Sequence, residues 1–173
     1  IYERIVAQTP AGAEARDELV AEAHFQLAQR AARAFDYDRA LAGYETIARA
    51  PRFTASSRPG ARERRRDALA NAAVLATRLG RHADAARAWS EAAALLPPGE
   101  ARDARLRAAE AALEAGDAAR AGRDLDVWLR EGPASARAHA LAARIAADWR
   151  RCCASNRFRS AWPLPRARTR NLA

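Results

Sequence analysis

A chain of 173 residues can build one ordinary domain, and with half of its residues apolar and 29% charged it belongs to the globular class, not the disordered one. No stretch approaches the ~20 consecutive apolar residues of a membrane-spanning helix. The net charge of +9 invites a nucleic-acid reading, but seven arginines (Arg150, Arg151, Arg157, Arg159, Arg166, Arg168, Arg170) crowd the C-terminal end with no acid among them, which leaves residues 1–149 nearly neutral.

All 30 basic residues are Arg, while Ile and Asn are scarce and Met is absent, a bias that points to a GC-rich, bacterial genome. The apolar share is mostly Ala, and only 6% of residues are aromatic. Ala is the strongest helix former. Thin, Ala-lined helices bury little unless they stack closely on neighbours, so the composition predicts an all-α chain of stacked helix pairs.

In chain order, IYERIVAQTP (1–10) reads as the end of an earlier repeat, with Tyr2 and Pro10 in the places that Tyr44 and Pro51 take later. Residues 12–51 form the first full repeat: a helix ELVAEAHFQLAQRAARA, then a second helix within FDYDRALAGYETIARAP. FTASSRPGAR (53–62) has the Ser, Pro and Gly content of a loop and is the expected first site of proteolysis. Residues 62–97 and 100–133 repeat the pattern with RDALANAAVLATRLG and ARDARLRAAEAALEAG as first helices. Residues 134–151 supply the first helix of a fourth repeat, and 152–173 form a basic, Pro- and Arg-rich tail expected to be disordered.

Within each second helix a small Ala (Ala40, Ala85, Ala121) is followed four residues later by a large apolar side chain (Tyr44, Trp89, Leu125) and then by a proline expected to end the helix (Pro51, Pro97, Pro133). The Ala lets two helices touch, the bulky residue one turn on fills the space beside it, and Pro lacks the N–H needed to continue. Gly80 and Gly116 precede their Ala by five residues, where a turn between paired helices needs positive φ. Phe35 holds that place in the first repeat, so a different turn is expected there.

Ala85, Trp89 and Pro97, together with the spacing of 36 from Ala85 to Ala121, resemble the A-x3-F and P portion of the tetratricopeptide (TPR) repeat; the first-helix Trp and Tyr of that pattern are missing. The resemblance implies a right-handed α-solenoid of stacked antiparallel helix pairs over 1–149, truncated at both ends. It also implies that first helices line a concave groove, which would place Phe25, Gln29, Ala70, Val74, Leu106, Glu110 and His139 along it. With Glu22, Asp67 and Asp103 beside them, such a groove would suit an apolar peptide carrying positive charge. The TPR subclass that grips a terminal carboxylate is set aside, since Arg78 and Arg107 are the only basic residues nearby.

The residues offer no catalytic constellation. His24, His82 and His139 are scattered without an HExxH motif, and Asp36/Asp38 and Asp124/Asp126 read as acids at helix starts. Cys152 and Cys153 lack the spacing of a metal site, and no glycine-rich phosphate loop occurs. No catalytic residue, metal ligand, cofactor or small-molecule substrate is therefore predicted. Trp89 and Trp128 read as core, and the run Arg62, Arg64, Arg65, Arg66 as a solvated helix start. The expected function is a non-catalytic protein–protein interaction scaffold or adaptor. The alternatives are a nucleic-acid binder using Arg62 to Arg66 and the tail, or the regulatory repeat region of a larger enzyme or regulator. Self-association through exposed terminal helices is a further expectation, unless Phe158, Trp162 and Leu164 fold back over the last helix.

Overall fold

The computed structural model describes residues 1–8, 17–50, 59–133 and 135–154. Among them the chain is all-helical, with no strand: α1 (Tyr2–Gln8), α2 (Asp17–Arg33), α3 (Tyr37–Arg49), α4 (Pro59–Arg78), α5 (His82–Ala93), α6 (Pro98–Glu114), α7 (Ala118–Arg130) and α8 (Ala136–Ala154). Each helix packs on the next in chain order, and α2 also meets α4, as α6 meets α8. None of the described helices is long and apolar enough to cross a membrane.

Three hairpins, α2–α3, α4–α5 and α6–α7, are closed by one and the same turn. In each, the second residue after the helix takes positive φ (Phe35 60°, Gly80 70°, Gly116 81°). Its N–H donates to the carbonyl three residues back, and the next N–H reaches five back: Asp36 to Ala31 at 3.0 Å, Arg81 to Ala76 at 2.8 Å, Asp117 to Ala112 at 2.9 Å. This is the Schellman arrangement, which satisfies carbonyls left over at a helix C-terminus. The expectation that Phe35 imposes a different turn is wrong: the hydrogen-bond pattern is kept, and Phe35 adopts the left-handed backbone at a cost of about 1–2 kcal/mol. The residue that completes each turn also caps the following helix. Asp36 accepts from the Arg39 N–H at 3.2 Å and Asp117 from the Arg120 N–H at 2.8 Å, whereas Arg81 provides no side-chain cap.

The predicted pairing of a small residue with a large one places the core. Ala40, Ala85 and Ala121 are fully buried, with Tyr44, Trp89 and Leu125 buried one turn on. Phe25 meets Tyr44 edge-on, ring centroids 5.4 Å apart, between α2 and α3. The contact between these helices is so close near Ala28 that a Cβ on Gly43 would fall 2.9 Å from the Ala28 Cβ. Trp89 sits among Ala73, Ala93, Ala104 and Ala108, and Trp128 packs with Leu106, Leu125 and Leu141.

Three boundaries differ from the sequence reading. Helix α4 begins at Pro59, so residues 59–62 belong to its first turn and not to a loop; proline suits the first turn, where its missing N–H costs nothing. The remainder of that predicted loop, 53–58, lies outside the described residues. Pro97 does not end α5, which stops at Ala93; it is the N-cap of α6, with Pro98 in the first turn. Helix α8 continues to Ala154, so Cys152 and Cys153 occupy its last turn, and the rest of the tail, with Phe158, Trp162 and Leu164, lies outside the described residues.

Candidate functional site

Arginines of one hairpin reach acids or carbonyls of the hairpin before it. Between the first and second hairpins Arg64 pairs with Glu22, Arg81 with Asp38 at 2.6 Å, and the Arg65 Nε donates to the Ala48 carbonyl at 3.0 Å. Between the third hairpin and α8, Arg137 grips Glu110 with two donors, the Nε at 2.6 Å, and Arg144 pairs with Glu114. The Glu110 hydrogen bond holds the Arg137 guanidinium still more firmly protonated than usual. Between the second and third hairpins no such ion pair occurs among the described residues.

The repeat register locates the difference from the last junction; at the first junction, counting from Ala28 and Ala73, the same places hold Gln29, Arg33, Ala68 and Leu75, and the ion pairs there use other positions. Aligning Ala73, Ala109 and Ala142 places Val74 and Arg78 where Glu110 and Glu114 stand one hairpin later, and Ala104 and Ala111 where Arg137 and Arg144 stand. Of the two alanines, Ala104 is buried beside Trp89 and Ala111 borders open space, while Arg78 stands in the place of an acid. A cavity of about 520 Å³ opens there, lined by Val74, Thr77 and Arg78 of α4, His82 and Trp89 of α5, Arg107, Glu110, Ala111 and Glu114 of α6, and Arg137 and Arg144 of α8.

The floor is apolar and the rim charged. The Arg107 guanidinium lies 4.9 Å from the centroid of the Trp89 ring and has no carboxylate partner; Arg78 is exposed and has no ion pair among the described residues. Four arginines face two glutamates, and both glutamates are already paired. The His82 Nδ1 is buried with no hydrogen-bond partner. Such an orphaned atom on a cavity wall is uncommon, because buried polar groups are nearly always satisfied.

Of the residues predicted to line a groove, the structure brings Val74 and Glu110 to this cavity. Phe25 and Leu106 are core side chains, 6% and 4% exposed, and must be corrected: each lies on the hairpin-facing side of its helix, where Tyr44 and Trp128 cover it. Ala70 packs half-buried beside the Trp89 cluster, Gln29 is half-buried away from the cavity, and His139 is exposed on α8 without reaching it. The acids expected on the rim are largely engaged: Glu22 by Arg64 and Gln26, Asp67 by Arg64 and Arg66, Glu110 by Arg137. Sequence reasoning missed Arg137, Arg144, Glu114, Trp89 and His82 as lining residues. Arg78 and Ala111 standing where Glu114 and Arg144 stand one hairpin later, visible in the repeat register, was the signal that could have found them.

A second polar site lies away from the cavity. Asp124, read from sequence as an acid near a helix start, stands instead in the middle of α7, with one carboxylate oxygen buried and without a hydrogen bond. Burial raises its pKa above the ordinary aspartate value, opposed chiefly by Arg120, whose Nε lies 3.7 Å away. Arg120 also donates to the Ser90 hydroxyl at 3.2 Å, tying α7 to α5. The charged groups that act on Asp124 are Arg120, Arg123 and Asp117, with no histidine among them. Among the described residues no three His, Cys, Asp or Glu side chains come within reach of one metal ion.

Fold and site together define an all-helical protein with a charged cavity between adjacent hairpins. No protein-family model matches the chain, and no curated protein matches it at a significant level.

Proposed function

We propose that the chain is a TPR-like, right-handed α-solenoid that acts as a non-catalytic interaction module, docking a peptide segment of a partner protein in the cavity between its second and third hairpins. The single observation that carries this reading is the cavity itself, where Val74, Trp89 and Ala111 lie beside four arginines and two glutamates, and only Arg137 and Arg144 are paired with those glutamates. A floor of Val74, Trp89 and Ala111 beneath charged side chains suits a peptide, whose backbone and side chains present both kinds of surface. The nucleic-acid alternative draws less support, because Arg64, Arg65 and Arg66 are engaged with Glu22, Glu91, Asp67 and the Ala48 carbonyl and form no free basic stripe.

Selection of phage-displayed random peptides against the protein tests the reading, with an Ala111→Trp variant that fills the cavity as the counter-screen. Peptides that bind the parent and lose affinity for the variant are the expected result. Failure to enrich any peptide, or enrichment indifferent to Ala111→Trp, would remove the basis for a docking function here.

A further inference from the structure

The cavity's charge specifies its occupant more narrowly than its shape does. At the junction between the third hairpin and α8, Glu110 and Glu114 of α6 each meet an arginine of α8, so the charges close on themselves. One hairpin earlier the same positions hold Arg78 in place of the glutamate and Ala111 in place of the arginine. Arg78 therefore carries the opposite sign to Glu114 and has no ion pair among the described residues. Arg107, on the facing helix, is held over Trp89 and likewise lacks a carboxylate. Both cations line one cavity, whose two glutamates are already paired with Arg137 and Arg144. A pair of carboxylates entering from outside would complete both, much as Glu110 and Glu114 complete Arg137 and Arg144.

We infer that the cavity between the second and third hairpins takes an acidic segment of a partner protein, in which two carboxylate side chains pair with Arg78 and Arg107 while an apolar side chain between them rests on Val74 and Trp89. The inference rests on the docking function proposed above and reverses the charge that the acids of the first helices suggested. Two separate arginines on different helices match two side-chain carboxylates, so a free C-terminus is not required. The net surplus is two positive charges, sufficient for a short acidic segment and far below the long basic track that a nucleic-acid backbone demands.

The test uses fluorescence anisotropy with three labelled probes on the full chain: an acetylated, amidated peptide alternating Glu with Leu, its Lys–Leu counterpart, and a single-stranded oligonucleotide. The acidic peptide is expected to bind best. Arg78→Gln, at an exposed side chain without a partner, should weaken it about two- to fivefold, the scale of one solvent-exposed ion pair. Glu114→Gln, which releases Arg144 into the cavity, should tighten it by a similar factor. The pair Arg78→Glu with Ala111→Arg rebuilds the ion pair seen one hairpin later and should abolish binding while leaving the thermal midpoint unchanged or higher. Lys–Leu binding equal to or tighter than Glu–Leu binding would overturn the acidic assignment, as would oligonucleotide binding with the same dependence on Arg78. Acidic-peptide affinity unmoved by the Arg78 variants would also overturn it. If random peptides still select the cavity in any of these cases, docking survives and only the charge preference falls; if none do, both fail.

Discussion

Replacing Trp89 by Ala should remove about 4 kcal/mol of folding stability. The indole is 8% exposed, and its buried neighbours Ala73, Ala93, Ala104 and Ala108 are all alanines. An alanine has no side-chain torsion with which to swing into a vacated space, so the cavity left behind cannot collapse without moving whole helices. A buried Trp covers roughly 150–250 Å², which at about 25 cal/mol per Å² gives roughly 4–6 kcal/mol. The range of about 3–5 kcal/mol for emptying an aromatic core site brackets the lower part of that figure. The partly buried Leu96 and Val74 can recover a fraction, which favours the lower end. Urea unfolding followed by far-ultraviolet circular dichroism measures the change, with Trp89→Phe as a control that should lose less than half as much. A loss below about 1 kcal/mol for Trp89→Ala would mean that the indole lies outside the core, and the packing described between α5 and α6 would be wrong.

Two further outcomes follow from the turns and from Asp124. Gly80→Ala and Gly116→Ala should each cost about 1 kcal/mol through backbone strain alone, since a Cβ at either position meets nothing within 4 Å; Phe35→Gly, at a side chain 78% exposed, should relieve the same strain and raise the thermal midpoint. Because burial raises the Asp124 pKa, the folded chain holds that proton more tightly than the unfolded chain does. The stability it contributes is full below the unfolded aspartate value and is lost as pH rises through the folded one, so Asp124→Asn should gain on the parent across that window; a parallel pH dependence of the two unfolding free energies would refute this.

The helices were legible because each carries its own local signals. The alternation of Ala with Tyr44, Trp89 or Leu125 one turn later marks a buried stripe, and Gly80 and Gly116 mark turns. Phe35 misled because the turn is fixed by carbonyls that must be satisfied and by the absence of spare residues, and those demands outweigh one side chain's preference. Phe25 and Leu106 misled for a different reason: a first helix has two partners, the second helix of its own hairpin and the neighbouring hairpin, and periodicity alone does not say which face looks to which. The charged rim was hidden because Arg137 and Arg144 lie some 30 residues downstream of the acids they meet (|i−j| of 27 and 30). No local window spans that distance, whereas the repeat register does.

Asp36, Arg81 and Asp117 each finish one helix and start the next, so the connection within a hairpin contains no residue without a structural duty. An inserted or deleted codon there would rotate one helix against its mate by about 100°, the turn per residue at 3.6 residues per turn. Length changes are confined to the segments between hairpins, and the spacings agree: Ala40 to Ala85 spans 45 residues and Ala85 to Ala121 spans 36, with identical turns at both ends. The hairpin is thus the heritable unit of this chain. Whole hairpins can be duplicated, lost or recombined in the gene without disturbing their own folding.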